Sequence, residues 1–373
     1  MKEKLLLIIF SVIIGSCQKN MVDENIILVR KTTEPNNLSI VTPHIIHLKE
    51  NPHAQIGTID KIIPIKNNLI ILDKLIGNAV FIYNNNGDYV NHIHNIGEGP
   101  GEYKNIESIF YNVFTNELEI IPMDFKKKIF FSINGTYLRE EFYKNNLYYS
   151  DLELIKNGEI IINNSSMNGE DNIIVNINNT LKYSSFPYNP DLDNSPLDQR
   201  NVISKGIGDN YLLSIGLRDT LYNFDLKNLT IKPIYILDFE NQISFIELNK
   251  KSSPINTFRE NDILIGSIDL FQNKNFITFS TLHNSGLKGR VYSKNSNSTY
   301  SVQEIIREKL GVLNIQGILG VSEDDKFIAV LSSNDLGEWD FSKNKNLQKQ
   351  FDQFDKVGIE DFILLSFDLK EIP

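Results

Sequence analysis

Between Ile62 and Tyr103 the chain falls into short apolar runs broken by polar turns. The runs are Ile62-Ile63-Pro64-Ile65, Leu69-Ile70-Ile71-Leu72, Val80-Phe81-Ile82-Tyr83 and Tyr89-Val90, separated by Lys66-Asn67-Asn68, Gly77-Asn78 and Asn84-Asn85-Asn86-Gly87-Asp88. Short runs of β-branched and aromatic residues bounded by Asn and Gly predict strands joined by hairpins. The unit is a four-stranded antiparallel sheet, and the rest of the chain repeats it.

A second unit reads through Ser108–Tyr111, Leu118–Ile121, Ile129–Ile133 and Tyr137–Phe142, and a third through Leu152–Ile155, Glu159–Ile162, Ile173–Ile177 and Leu181–Phe186. Aligned on the last hairpin of each unit, Gly87, Gly135 and Asn179 stand 48 and 44 residues apart. That period, with strands only, predicts propeller blades, and the runs are too short for helical repeats. A fourth unit spans Val202–Ile236 and a fifth Ile268–Val302. The sixth offers Gly317–Val321, Lys326–Leu331 and Phe362–Phe367, one strand short. A propeller closes its ring by borrowing a strand from the other terminus, and Ile45–Leu48, in the candidate that starts at Ile40-Val41, is available. The expected fold is therefore all-β, a six-bladed β-propeller of four-stranded antiparallel blades closed by an N-terminal strand. Its domains would be a leader at 1–16, a tether at 17–37 and the propeller at 38–373, with Ile26–Val29 the one strand-like stretch in the tether.

The N-terminus changes the picture of where such a domain works. Lys2 and Lys4 precede an apolar run from Leu5 to Ile14, followed by Gly15, Ser16 and Cys17, the only cysteine among 373 residues. A run this short falls below the roughly 20 residues needed to span a bilayer and reads as a signal peptide. Ile14-Gly15-Ser16-Cys17 resembles the lipobox of bacterial lipoproteins, which implies acylation at Cys17 and a membrane partner through that lipid. Gln18 after the cysteine implies the outer membrane rather than retention at the inner one. With Cys17 acylated, the mature domain has no disulfide, thiolate metal site or cysteine nucleophile. A formal net charge of -10 argues against a nucleic-acid partner.

Gly97-Glu98-Gly99-Pro100-Gly101-Glu102-Tyr103 resembles the G-x-G-P-G-E-Y signature of a family of lipid-anchored six-bladed propellers of Gram-negative bacteria, of the NHL/TolB-like kind. Asp219-Thr220-Leu221-Tyr222 is similar to that family's D-T-[IL]-Y element. The resemblance implies the fold and a cell-envelope location, and supplies no catalytic residues. The glycines do not form a dinucleotide loop: Pro100 interrupts the spacing and a strand follows where a helix N-terminus would be needed. A tight connection between blades explains them.

Candidate chemistry is sparse. Asp73, Asp124 and Asp219 fall at the turns between second and third strands, on the face of the disc that also carries the connections between blades. Glu98, Glu102 and Tyr103 share that face, as do the insertions at 238–262, 303–316 and 332–361. With Arg218 and Trp339 these residues are candidates for binding a glycan, a peptide or an envelope protein. Asp also favours turns for its own hydrogen bonds, and Glu102 with Tyr103 could simply lock two blades together. His92 and His94 share one side of an outer strand at a metal-compatible spacing without a third ligand, and neither G-x-S-x-G nor H-E-x-x-H occurs. No cofactor is expected. The innermost strands offer mainly Ile, Leu and Ser, with Glu107, Glu153 and Asp269 as exceptions. The sequence thus predicts a non-enzymatic binding or interaction module, the alternative being a hydrolase or lyase with its site at the mouth of the central channel.

Overall fold

A computed structural model describes residues 25–49, 51–52, 54–143, 149–163, 171–189, 200–216, 218–239, 250, 264–283, 285–331, 338–354 and 361–372. Cys17 and the leader lie outside them, as does most of the 238–262 insertion. The chain opens with β1 (Asn25–Leu28) and β2 (Leu38–His47) and then builds its blades in order. Blade 1 is β3 (Lys61–Ile65), β4 (Asn68–Asp73), β5 (Ala79–Asn84) and β6 (Tyr89–Ile93). Blade 2 is β7 (Ile106–Asn112), β8 (Glu117–Pro122), β9 (Lys127–Ser132) and β10 (Tyr137–Phe142). Blade 3 is β11 (Asp151–Ile155), β12 (Gly158–Ile162), β13 (Asp171–Ile177) and β14 (Thr180–Pro187), and blade 4 is β15 (Ile203–Lys205), β16 (Asn210–Ser214), β17 (Thr220–Asp225) and β18 (Thr230–Asp238). Blade 5 is β19 (Leu264–Gln272), β20 (Phe276–His283), β21 (Gly286–Ser293) and β22 (Thr299–Ser301), and blade 6 contains β23 (Ile315–Val321), β24 (Phe327–Leu331) and β25 (Ile363–Glu371). The sheets are antiparallel meanders, and β2 completes the sixth with Ile45 opposite Leu365 and Ile46 opposite Leu364. The expected six-bladed propeller and its N-terminal closing strand are both present, the strand being longer than the sequence suggested.

The continuous apolar runs have a simple cause. Each blade is covered on both faces by its neighbours, so successive side chains of one strand serve two different cores. On β4, Leu69 and Ile71 pack toward blade 6, whereas Ile70 and Leu72 pack toward blade 2. Six apolar clusters fill the six interfaces between blades. The aligned hairpin positions are equivalent in backbone as well: Gly87, Gly135 and Asn179 have φ of 82°, 83° and 56°, the left-handed region that tight hairpins need.

Two sequence expectations are corrected. The stretch assigned mainly to a tether contains a working element. β1 adds a parallel fifth strand to blade 4, with Ile26 opposite Ile236, and Ile27 and Val29 are fully buried. The chain then straps the rim of blade 5, where Arg290 Nε donates to Val29 O at 2.7 Å and Thr33 N donates to Thr299 O at 2.7 Å, before entering blade 6 as β2. The insertion at 303–316 is largely a helix, α1 (Val302–Leu310). Ser301 caps it, Gly311 ends it, and Ile305, Ile306 and Leu310 are buried in the core between blades 5 and 6.

Candidate functional site

The first strand of every blade lies innermost. Around the axis β23 neighbours β3, β7 neighbours β11, β11 neighbours β15, and β19 neighbours both β15 and β23. They enclose a cavity of about 490 Å³ lined by residues from all six blades. Its floor lies where these strands begin, on the face that carries the connections between blades. Its mouth lies at the hairpins between first and second strands, on the opposite face, where Val113, Gly206, Gln272, Glu323 and Asp325 line it.

The floor is closed by ionic groups. Lys61 begins β3 and Asp151 begins β11, two blades apart, yet Lys61 Nζ lies 3.8 Å from Asp151 Oδ1 and 4.2 Å from the centre of the Phe110 ring. Asp151 Oδ2 also accepts from the amides of Val202 at 2.7 Å and Ile203 at 3.1 Å, and Oδ1 accepts from Leu152 N at 2.9 Å. Burial pulls the Lys61 pKa down and pushes that of Asp151 up, and their mutual attraction offsets only part of this cost. Beside them Lys74 Nζ pairs with Glu107 at 2.8 Å, and Arg200 holds Asp269 with two bonds of 3.1 and 3.2 Å. Asp269 sits in β19 with φ of 50°, a strained backbone at the axis fixed further by Asn201 Nδ2 at 2.9 Å. Among the described residues these groups leave a recess of about 30 Å³, room for a water molecule or two. The cavity is therefore a cup.

Toward the mouth the wall changes character. Glu153 shares a face of β11 with Asp151 and lies about 7 Å further along the axis. Burial pushes its carboxyl up to about 7, helped by repulsion from Asp151 and opposed by Lys205 and Lys61. Among the described residues it accepts no hydrogen bond and makes no ion pair. Lys205, Glu323 and Asp325 are exposed around the rim.

The eight residues expected from sequence to form a binding face lie elsewhere, and none of them lines the cup. Asp73 is fully buried and accepts from Gly57 N at 2.6 Å, Thr58 Oγ1 at 2.8 Å, Ile76 N at 3.1 Å and Gly77 N at 2.7 Å. Its lone pairs are spent on the turn. Glu102 Oε2 accepts from Gly99 N at 2.8 Å. Tyr103 is 2% exposed and its hydroxyl donates to Ile93 O at 3.0 Å, with burial holding its pKa above the usual phenol value. Asn78 ties this loop to the turn of Asp73: its Nδ2 donates to Lys104 O at 2.7 Å and its Oδ1 accepts from Ile106 N at 2.8 Å. Glu98 is exposed and pairs with Lys104 at 2.6 Å, and exposed Asp124 accepts from Lys126 N at 3.2 Å. Arg218 donates to Ile215 O at 3.3 Å beside the Phe186 ring, and Asp219 accepts from Thr220 Oγ1 at 3.0 Å. Trp339 packs on Phe341 and on Phe351, the last residue of the helix α2 (Lys345–Phe351), against the outer strand of blade 6 rather than over the axis. The structure thus joins Asp73 to the glycine loop, sets Asp124 within reach of the charge of Lys104 in that loop, and leaves the Arg218-Asp219 pair and Trp339 on separate blades. His92 and His94 stack with ring centres 6.5 Å apart, His92 bonded to the Tyr89 hydroxyl at 2.6 Å.

Of the groups at the axis, Glu107, Glu153 and Asp269 were visible from sequence. Lys61, Asp151 and Lys205 were not, since each is one charge at the end of a short strand and nothing in the chain's spacing marks its partner.

Comparison with solved structures places this architecture. A Bacteroides fragilis protein described as exported superposes with a TM-score of 0.73 at 18% identity, over 93% of this chain and all of the other. A member of the DUF4221 family from Bacteroides vulgatus follows with a TM-score of 0.55 at 9% identity, over 90% of this chain and 99% of the other. At these identities the likeness is one of fold. No curated protein matches the sequence. The family model of the domain of unknown function DUF4934 matches residues 40–361, from the closing strand to the edge of the last one, and the chain belongs to that family.

Proposed function

We propose that this protein is a lipid-anchored propeller of the cell envelope, held at the outer membrane through Cys17, that binds a polar ligand such as a glycan or peptide in its axial cup without transforming it. The observation that carries the binding reading is the blind cavity. It has enough volume for a small ligand or a peptide side chain, a floor sealed by ion pairs and a rim of exposed polar groups. The envelope address rests on the N-terminal sequence, and the Bacteroides fragilis relative is itself described as exported.

Screening envelope glycans and peptides against the wild type and Val113→Trp tests the binding half. Val113 is 56% exposed at the mouth, so filling it should block the cup and leave the fold intact. Binding that survives Val113→Trp and disappears in Arg218→Ala would move the site to the opposite face. For the anchor, Cys17→Ala should leave the membrane fraction or remain unprocessed, and unaltered processing and membrane retention would refute it. A hydrolase or lyase acting at the same mouth is the second reading. It is favoured by Glu153, whose pKa of about 7 suits a general acid, and it requires turnover that Glu153→Gln abolishes while binding persists.

A further inference from the structure

Resting on the binding reading above, we infer that the cup takes a cationic group, the protonated amine of its ligand, against Glu153. The charges lining the cup are unbalanced: Asp151, Glu153, Glu323 and Asp325 face Lys61 and Lys205. The pairing at the floor removes Lys61 and Asp151 from this balance, leaving three carboxylates and one exposed ammonium toward the mouth.

The floor also displays the chemistry. There the chain's own ammonium, on Lys61, sits between the Asp151 carboxylate and the Phe110 ring face. One layer up the same face of β11 presents a second carboxylate, and no described residue donates a hydrogen bond to it. Glu153 is half-buried in the cavity wall, the attraction of Lys205 and Lys61 offsets only part of the cost of its burial, and a ligand's N–H groups would supply the donor that the described residues do not. An anionic ligand would meet repulsion from three carboxylates, and a neutral polyol would leave the charge of Glu153 unmatched. The raised pKa of Glu153 is the same cost seen in its titration, and binding of a cation should expel the proton.

Calorimetric titration of the full chain with 1,5-diaminopentane, pentane-1,5-diol and glutarate tests this directly. The diamine should bind, the other two should not, and Glu153→Gln should weaken the diamine by roughly tenfold or more while melting no lower than the wild type. Affinity for the diamine should rise from about pH 6 to about pH 8 as Glu153 ionises. Failure of the diamine to bind, or equal binding to Glu153→Gln, overturns the inference. Binding of the diol or glutarate that Val113→Trp abolishes would keep the cup as the site and overturn its cationic assignment. Diamine binding indifferent to both substitutions overturns the assignment and counts against the cup as well.

Discussion

Lys61 of blade 1 reaches across the axis of the ring to Asp151 of blade 3, 3.8 Å away, and the two close one end of the central cavity. The partners do unequal structural work. Asp151 also receives three backbone amides, including two from the start of blade 4, whereas Lys61 has Asp151 and an aromatic face. Asp151→Ala should therefore cost about 3–5 kcal/mol in chemical denaturation, since it strands a buried ammonium and orphans amides. Lys61→Met keeps the packing and leaves Asp151 its amides, so about 1 kcal/mol is expected. Equal losses for the two variants would show that the amides contribute nothing.

Glu153 makes stability depend on pH with a definite sign. Its folded pKa of about 7 stands above the ordinary 4.5, so the unfolded chain ionises first. Stability referable to this group falls as pH rises from about 4.5 to about 7 and stays low above that. Glu153→Gln should match the wild type near pH 4 and exceed it by roughly 3 kcal/mol at pH 8. Melting curves across that range check it, and a variant less stable at pH 8 would mean Glu153 has a compensating partner when ionised.

Tyr103 locks the connection between blades 1 and 2. Tyr103→Phe removes one buried donor and should cost about 1 kcal/mol, whereas Tyr103→Ala empties a core position and should cost about 3–5 kcal/mol. A melting temperature unchanged in both, with ligand binding lost, would instead make Tyr103 a recognition residue.

The strap across blades 4, 5 and 6 revises what truncation should do. Deleting residues 1–24 should leave stability unchanged. Deleting 1–37 removes β1 and the fully buried Ile27 and Val29, each worth about 1.5–3 kcal/mol, and should lower the denaturation midpoint clearly. Deleting through Leu48 also opens blade 6 and should be worst of the three. Indistinguishable midpoints for the first two truncations would make β1 dispensable.

The hairpins were legible in the sequence because the physics behind them is local. Gly87, Gly135 and Asn179 mark the same left-handed turn, and strands sandwiched between blades are apolar on both faces. α1, which the strand pattern alone does not reveal, also carries a local signal. Ser301-Val302-Gln303-Glu304 is a capping-box pattern, and the Ser301 hydroxyl does accept from Glu304 N at 3.4 Å. β1 reads in the sequence only as a strand-like stretch of the tether, since four residues carry no sign of a parallel partner some 210 positions away. The axis was the least legible part. Lys61 and Asp151 are 90 positions apart and meet only because the ring closes, so their relation depends on blade geometry rather than on any motif. The turn aspartates look like chemistry in the sequence, yet Asp73 spends its oxygens on neighbouring amides and a hydroxyl, as Asp in tight turns commonly does.

The central claim is that ligand enters the cup at the hairpin face. With Cys17→Ala as background the chain has no other cysteine, so one fluorophore can be placed at Val113→Cys on the mouth or at Leu75→Cys, 73% exposed on the opposite face. Titration with any ligand the protein binds should change the emission of the Val113 label and leave the Leu75 label silent. A response at Leu75 with none at Val113 would contradict the account.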